Sequence, residues 1–214
     1  MSAALREDLL ETVARFIGHG LNQGMSGNLS VRTPEGFLIT PSGLPYDQMR
    51  SADLVQMALD GTATGDLLPS SEWRFHLDIY KVRPEVSAIV HTHSTAATAL
   101  ACLERDIPAF HYMVAVAGGR DVRCSPYATF GTQALSDHAI AALTERNACL
   151  LGHHGAIATG ANTTQALSIA VEVENLAEMY LACLAVGEPA LLDDEELDEV
   201  LAKFANYGQS RPGE

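Results

Sequence analysis

The run Ser87-Ala-Ile-Val-His-Thr-His93 decides the architecture. It is short, apolar and partly β-branched, which marks a buried strand, and the alanine-rich segment 95–104 behind it has helical composition. On its N-terminal side, Leu68-Pro-Ser-Ser-Glu72 is a helix start, with serine hydroxyls at the cap and an acid in the first turn. That helix is expected to run to Arg83, where Pro84 stops it. Further out, leucine, valine and phenylalanine recur at helical spacing over 3–19, and short strands are expected at 28–32, 36–40 and 53–59. On the C-terminal side the pattern predicts helices around 131–146 and 163–186, flanking one strand-like stretch from Ala148 to Thr159. A last amphipathic helix, Asp193 to Asn206, opens on four consecutive acids, favourable at a helix N-terminus. Alternating elements, with no repeat and no low-complexity linker, imply one layered α/β or α+β domain over 1–208. The Gly-, Pro- and charge-rich residues 209–214 are expected to form a flexible tail.

The chain has 214 residues and a formal charge of −14, which argues against nucleic acid or an anionic membrane as partner. A phosphorylated ligand would then have to be held locally, by backbone amides and hydroxyls, against the global field. No signal-peptide pattern and no membrane-length apolar run is present, so a cytoplasmic protein is expected. The four cysteines, Cys102, Cys124, Cys149 and Cys183, lack C-x-x-C spacing and are expected to be small buried hydrophobes in a reducing compartment.

His91 and His93 stand two apart on the strand, so both imidazoles face the same side and can reach one ion. A third ligand can come from His153 or His154, which precede Gly155 after another apolar run. Three histidines with an open fourth position describe a catalytic zinc site. Glu72 is a candidate base, although an acid in a first helical turn is often just a favourable charge. Ser70 and Ser71 either cap the helix or, with its free amides, cradle a phosphate. Gly27-Asn28 and Ser42-Gly43 are turn signals that would also let backbone approach a phosphate. A Schiff-base mechanism needs a desolvated lysine. The only two lysines, Lys81 near a helix end and Lys203 in the acidic amphipathic helix, are not at positions expected to be desolvated, so carbanion stabilisation would fall to a metal.

Gly-Asn-Leu-Ser (27–30), Pro-Ser-Gly (41–43), Leu-Pro-Ser-Ser-Glu-Trp-Arg-Phe-His (68–76) and His-Thr-His (91–93) resemble the class II aldolase/adducin family. The runs 107–113, 126–132 and Gly-His-His-Gly (152–155) extend that resemblance, in order, from near residue 5 to Gly208. It implies a central, mainly antiparallel sheet covered by helices and a cyclic homotetramer with active sites between subunits. It implies Zn2+ on His91, His93 and His154, with Glu72 as catalytic acid/base and additional ligand. Phosphate contacts fall on Gly27, Asn28, Ser42, Gly43, Ser70 and Ser71; Tyr112 would serve the aldehyde-end oxygen, and Tyr207 would lie near the substrate. Ser42 stands where the resembled bacterial enzymes carry threonine, which keeps the hydroxyl. The implied reaction is cleavage of L-fuculose 1-phosphate, or a close ketose phosphate, to dihydroxyacetone phosphate and L-lactaldehyde through a metal-stabilised enediolate. The alternatives are a ribulose-phosphate 4-epimerase, whose relatives carry Asp at the position of Glu72, and a non-catalytic adducin-like module, which would lack the histidine triad.

Overall fold

A computed structural model describes residues 2–204. The chain forms α1 (Ser2–Gly18), β1 (Asn28–Thr33), β2 (Gly36–Ile39), β3 (Val55–Ala58), β4 (Ala63–Thr64), α2 (Trp73–Val82), β5 (Ala88–Thr92) and α3 (Thr95–Cys102). It continues with β6 (Arg123–Ser125), α4 (Gln133–Ala142), β7 (Ala148–Leu151), β8 (Gly155–Gly160), α5 (Thr163–Leu184) and α6 (Asp194–Phe204). The strands make one eight-stranded sheet in the order β4-β3-β2-β1-β5-β8-β7-β6. Every pairing is antiparallel except β6 with β7. Among the described residues no helix is long and apolar enough to cross a membrane.

Strand alternation divides the core in two. Leu29, Val31, Ala88, Val90, Ala156 and Ala158 face a core shared with α1, α3 and α5. Ile89, Cys149, Leu151 and Ile157 face the other core, shared with α2 and α4. With a side-chain period of two, the residues between these follow by necessity. Asn28 and Ser30 of β1, and His91 of β5, therefore point at α2. The register places Asn28 directly across from His91 and Ser30 across from Ile89.

Several boundaries differ from those expected. Helix α2 begins at Trp73, because Ser70 and Glu72 lie in the turn before it and the Ser70 hydroxyl accepts the Glu72 amide at 3.3 Å. The expected single stretch 148–159 is instead a tight hairpin, β7 and β8, with Leu151 paired to Gly155. The two adjacent histidines sit in its turn and not on a strand. Short β4 and β6 have no counterpart among the expected strands, because two or three residues carry no periodicity. Cysteine burial is likewise uneven: all four are free thiols, but only Cys149 is buried and Cys102 is exposed. Tyr207, the residues 205–206 expected to end the last helix and the expected tail 209–214 lie outside the described residues.

Candidate metal centre

Four side chains from three separate segments converge. His91 is the penultimate residue of the buried strand β5, His93 directly follows that strand, His154 comes from the β7–β8 turn, and Glu72 from the turn into α2. Each offers one ligand atom, and these atoms lie within 4.8 Å of one another. Nε2 of His91 is 3.0 Å from Nε2 of His93 and 3.1 Å from Oε2 of Glu72. Nε2 of His154 is 3.0 Å from Oε1 of Glu72. The three imidazole rings are nearly perpendicular in every pairing, at 72°, 80° and 88°.

Hydrogen bonding supplies a test of whether this set suits a cation. Nδ1 of His91 lies 3.0 Å from the Ala156 carbonyl, which can only accept, so Nδ1 carries the proton. In neutral His91 the Nε2 lone pair then faces a carboxylate oxygen and another imidazole nitrogen. Lone pairs facing one another repel, and a shared cation removes that repulsion. The spacing agrees: two nitrogens bonded to one tetrahedral zinc at 2.0–2.1 Å stand about 3.3 Å apart. Among the described residues, Oε1 of Glu72 is buried without a hydrogen-bond partner, although it lies 3.0 Å from Nε2 of His154. These residues fit a divalent ion.

Protonation points the same way. Burial, then the neighbouring His91 and His154, lowers the His93 pKa to about 4, leaving it neutral and able to ligate. For Glu72, burial alone would raise the pKa. The neighbouring His91, then His154, outweigh it and hold the carboxylate well below its ordinary range.

Backbone geometry explains why glycines punctuate the site. Gly27 has φ +71°, and a Cβ there would lie 2.6 Å from the His91 carbonyl oxygen. A Cβ on Gly155 would lie 2.2 Å from the carbonyl oxygen of Thr92. Both glycines let a neighbouring chain close on the strand that carries the histidines. Gly155→Ala is expected to cost about 1–3 kcal/mol of stability by forcing the two strands apart, and to weaken metal affinity, measured by thermal melts and zinc titration. Gly187→Ala, where a Cβ meets open space, should change neither.

His154 and His153 part company in the turn. His153 sits at φ +55° with its side chain about half exposed beside Glu104, turned away from the cluster. Behind His93 the start of α3 is clamped, because the Glu174 carboxylate accepts the amides of Ala96 and Ala97 at 2.7 and 2.8 Å. Glu174 was not singled out in the sequence, where it is one acid in a long helix.

The other expected site residues form a rim and an outlier. Gly27 and Asn28 adjoin His91 through the β1–β5 ladder. The segments carrying Ser42-Gly43 and Ser70-Ser71 are tied together, the Ser42 amide donating to Leu68 O and the Ser70 amide to Thr40 O. Ser42, Gly43 and Ser71 are exposed and Ser70 is buried. Tyr112 is elsewhere: itself exposed, it opens a 3-10 turn whose Val114, Ala115 and Ala117 are buried, and its ring lies against His111, not against any of the four converging groups. Lys81 and Lys203 are exposed, which argues against a Schiff base among the described residues.

The profile of the class II aldolase and adducin N-terminal domain matches residues 7–181. The chain belongs to that family. It is a class II aldolase, a lyase of a metal-dependent class. It is 54% identical over 207 residues to a 5-methylthioribulose-1-phosphate/5-deoxyribulose-1-phosphate aldolase of Rhodospirillum rubrum, covering 97% of this chain and 94% of that one. It is 48% identical over 205 residues to the L-fuculose phosphate aldolase of Escherichia coli strain K12, covering 95% of each. A solved L-fuculose 1-phosphate aldolase superposes with a TM-score of 0.91 at 41% identity, over 94% of this chain and 96% of that one. The expected single-domain, mainly antiparallel class II aldolase fold is the one observed.

Proposed function

We propose that this class II aldolase cleaves ketose 1-phosphates whose far end lacks a hydroxyl, releasing dihydroxyacetone phosphate and a small apolar-ended aldehyde. The convergence of Glu72, His91, His93 and His154 carries the reading. The substrate class rests on what the named relatives share. L-fuculose, 5-deoxyribulose and 5-methylthioribulose 1-phosphates give the same phosphate half and differ in an aldehyde ending in methyl or methylthio. L-fuculose 1-phosphate is thus one member of the class.

Zinc suits three imidazoles and a carboxylate, and when bound it supplies Lewis-acid polarisation of the ketose carbonyl. The protein's own residues do the rest. Ser70, Ser71, Ser42, Asn28 and the amides of Gly27 and Gly43 hold the phosphate with hydroxyls and backbone donors, as a chain of charge −14 requires. Cleavage removes the C4 hydroxyl proton and breaks the C3–C4 bond, the aldehyde departing. Glu72 returns one proton to C3, completing dihydroxyacetone phosphate. In synthesis the Tyr112 hydroxyl donates to the new alkoxide. Tyr112 lies away from the cluster of its own chain, so this role needs a neighbouring copy, as in a homotetramer with sites between subunits. Tyr207 would approach the substrate from the C-terminal end. The four free thiols suit a reducing compartment, the cytoplasm.

An assay of aldehyde release against a panel of ketose 1-phosphates tests this. Expected is a higher kcat/KM for the three deoxy substrates than for analogues with a terminal hydroxyl, since a pocket for an apolar end pays to desolvate that hydroxyl. Preference for the hydroxylated analogues overturns the substrate class. Conversion of ribulose 5-phosphate to its 4-epimer without free aldehyde overturns cleavage itself.

A further inference from the structure

Helix α2 and strand β1 meet along a buried polar seam running from the metal centre into an otherwise apolar core. Glu72, His76 and Tyr80 are spaced four apart and share one side of the helical segment. Asn28 and Ser30, two apart on β1, face them. The five side chains interleave. The Tyr80 hydroxyl is 2.8 Å from Ser30 Oγ, which is 2.7 Å from His76 Nδ1. His76 Nε2 is 2.5 Å from Asn28 Oδ1, and Asn28 Nδ2 is 3.0 Å from Glu72 Oε2. All five are buried, His76 completely.

Working back from the carboxylate sets every donor. Ionised Glu72 only accepts, so the Asn28 amide nitrogen donates to it and the Asn28 carbonyl oxygen must accept. Nε2 of His76 therefore carries the ring proton, and Nδ1 accepts from the Ser30 hydroxyl. Ser30 in turn accepts from Tyr80. Each hydrogen bond points towards Glu72, an alignment in which successive bonds polarise one another. The neutral tautomer this requires is the form His76 holds, because burial first, and the neighbouring His91 second, push its pKa down to about 3. Phe75 stacks on the same ring at 4.6 Å and fixes its plane.

The seam ends asymmetrically. Oε2 of Glu72 is anchored by Asn28, while Oε1, among the described residues, accepts no hydrogen bond. We propose that His76 is a positioning residue which, through Asn28, pins Oε2 of Glu72 and leaves Oε1 as the oxygen that exchanges the substrate proton. The proposal rests on the aldolase role of Glu72 given above. A fully apolar seam of the same shape would be no less stable, since buried polar groups seldom exceed well-packed hydrophobes in net stability. Its polarity is explained by the group at its end.

His76→Leu keeps the volume and removes the donor, whereas His76→Gln can place an amide N–H near the position of Nε2. Expected for His76→Leu is a fall in kcat of roughly 10–100-fold, the usual effect of losing a partner that orients a ligand, with KM rising less than kcat falls. The visible absorption of the cobalt(II)-loaded protein should change as well, because it reports the arrangement of all the coordinating groups, the carboxylate among them, and needs no turnover. His76→Gln should recover most of both. Ser30→Ala, one link further out, should show a smaller change of the same kind, and it decides the matter if His76→Leu does not fold. A lowered melting temperature with wild-type kcat and cobalt spectrum, or a His76→Gln protein no better than His76→Leu, overturns the proposal. If wild-type protein cleaves no ketose 1-phosphate, the aldolase role of Glu72 fails, while the cobalt spectra still report whether the seam orients the carboxylate.

Discussion

Replacing His154 with alanine is expected to leave the protein folded, without bound zinc after dialysis, and with activity at background. The wild-type chain should hold about one ion per chain, as one four-donor site does. His154 contributes a nitrogen 3.0 Å from Glu72 and one of three mutually perpendicular rings. Its loss leaves two imidazoles and a carboxylate whose Oε1 then faces empty space. The matched control is His153→Asn. That position has φ +55°, which asparagine tolerates better than alanine, and its side chain points away from the cluster. Metal content by elemental analysis should therefore separate two adjacent histidines completely. Equal zinc in the two variants would remove His154 from the ligand set.

Glu72→Gln is expected to cost on the order of a hundred- to ten-thousand-fold in turnover, the range for a lost general acid/base, equivalent to about 3–5 kcal/mol of barrier. The amide has nearly the carboxylate's shape, so the rim formed by Asn28, Ser70 and Ser71 stays in place and KM should move little. An amide cannot take up and return a proton at pH 7. Exchange of the dihydroxyacetone phosphate C3 hydrogen with deuterated solvent isolates that single step from carbon–carbon cleavage. The variant should lose exchange and cleavage together. Undiminished exchange would assign the proton to another group.

Much of this site is legible in the primary structure because it uses local periods. An apolar run ending in His-x-His puts two imidazoles on one side of a strand whatever the strand pairs with, and alternation alone sends His91 towards the α2 face with Ile89. Resemblance of the ordered motifs to one family points to the same histidines and Glu72 for the roles proposed for them. The expected helices over 3–19, 95–104 and 163–186 are observed at 2–18, 95–102 and 163–184, since long periodic segments bury a continuous stripe. The limits of α2, β4, β6 and the β7–β8 hairpin were not legible, because turns of two to five residues are set by contacts with distant backbone.

What the sequence by itself determined is the inventory: the donor types, their spacing along each segment, the absence of a lysine suited to a Schiff base, and a charge that leaves phosphate to hydroxyls and amides. What only the tertiary structure decided is which of these meet. Residues 72, 91 and 154 are brought together by the β1–β5–β8 order and by Gly27 and Gly155, which let those backbones approach. The choice of His154 over His153 depends on one left-handed residue in a hairpin turn. The seam from Tyr80 to Glu72 exists because a four-residue period on a helix lies against a two-residue period on a strand. Each period is written in the sequence, but their register is fixed by side-chain packing across the sheet, between residues more than forty positions apart.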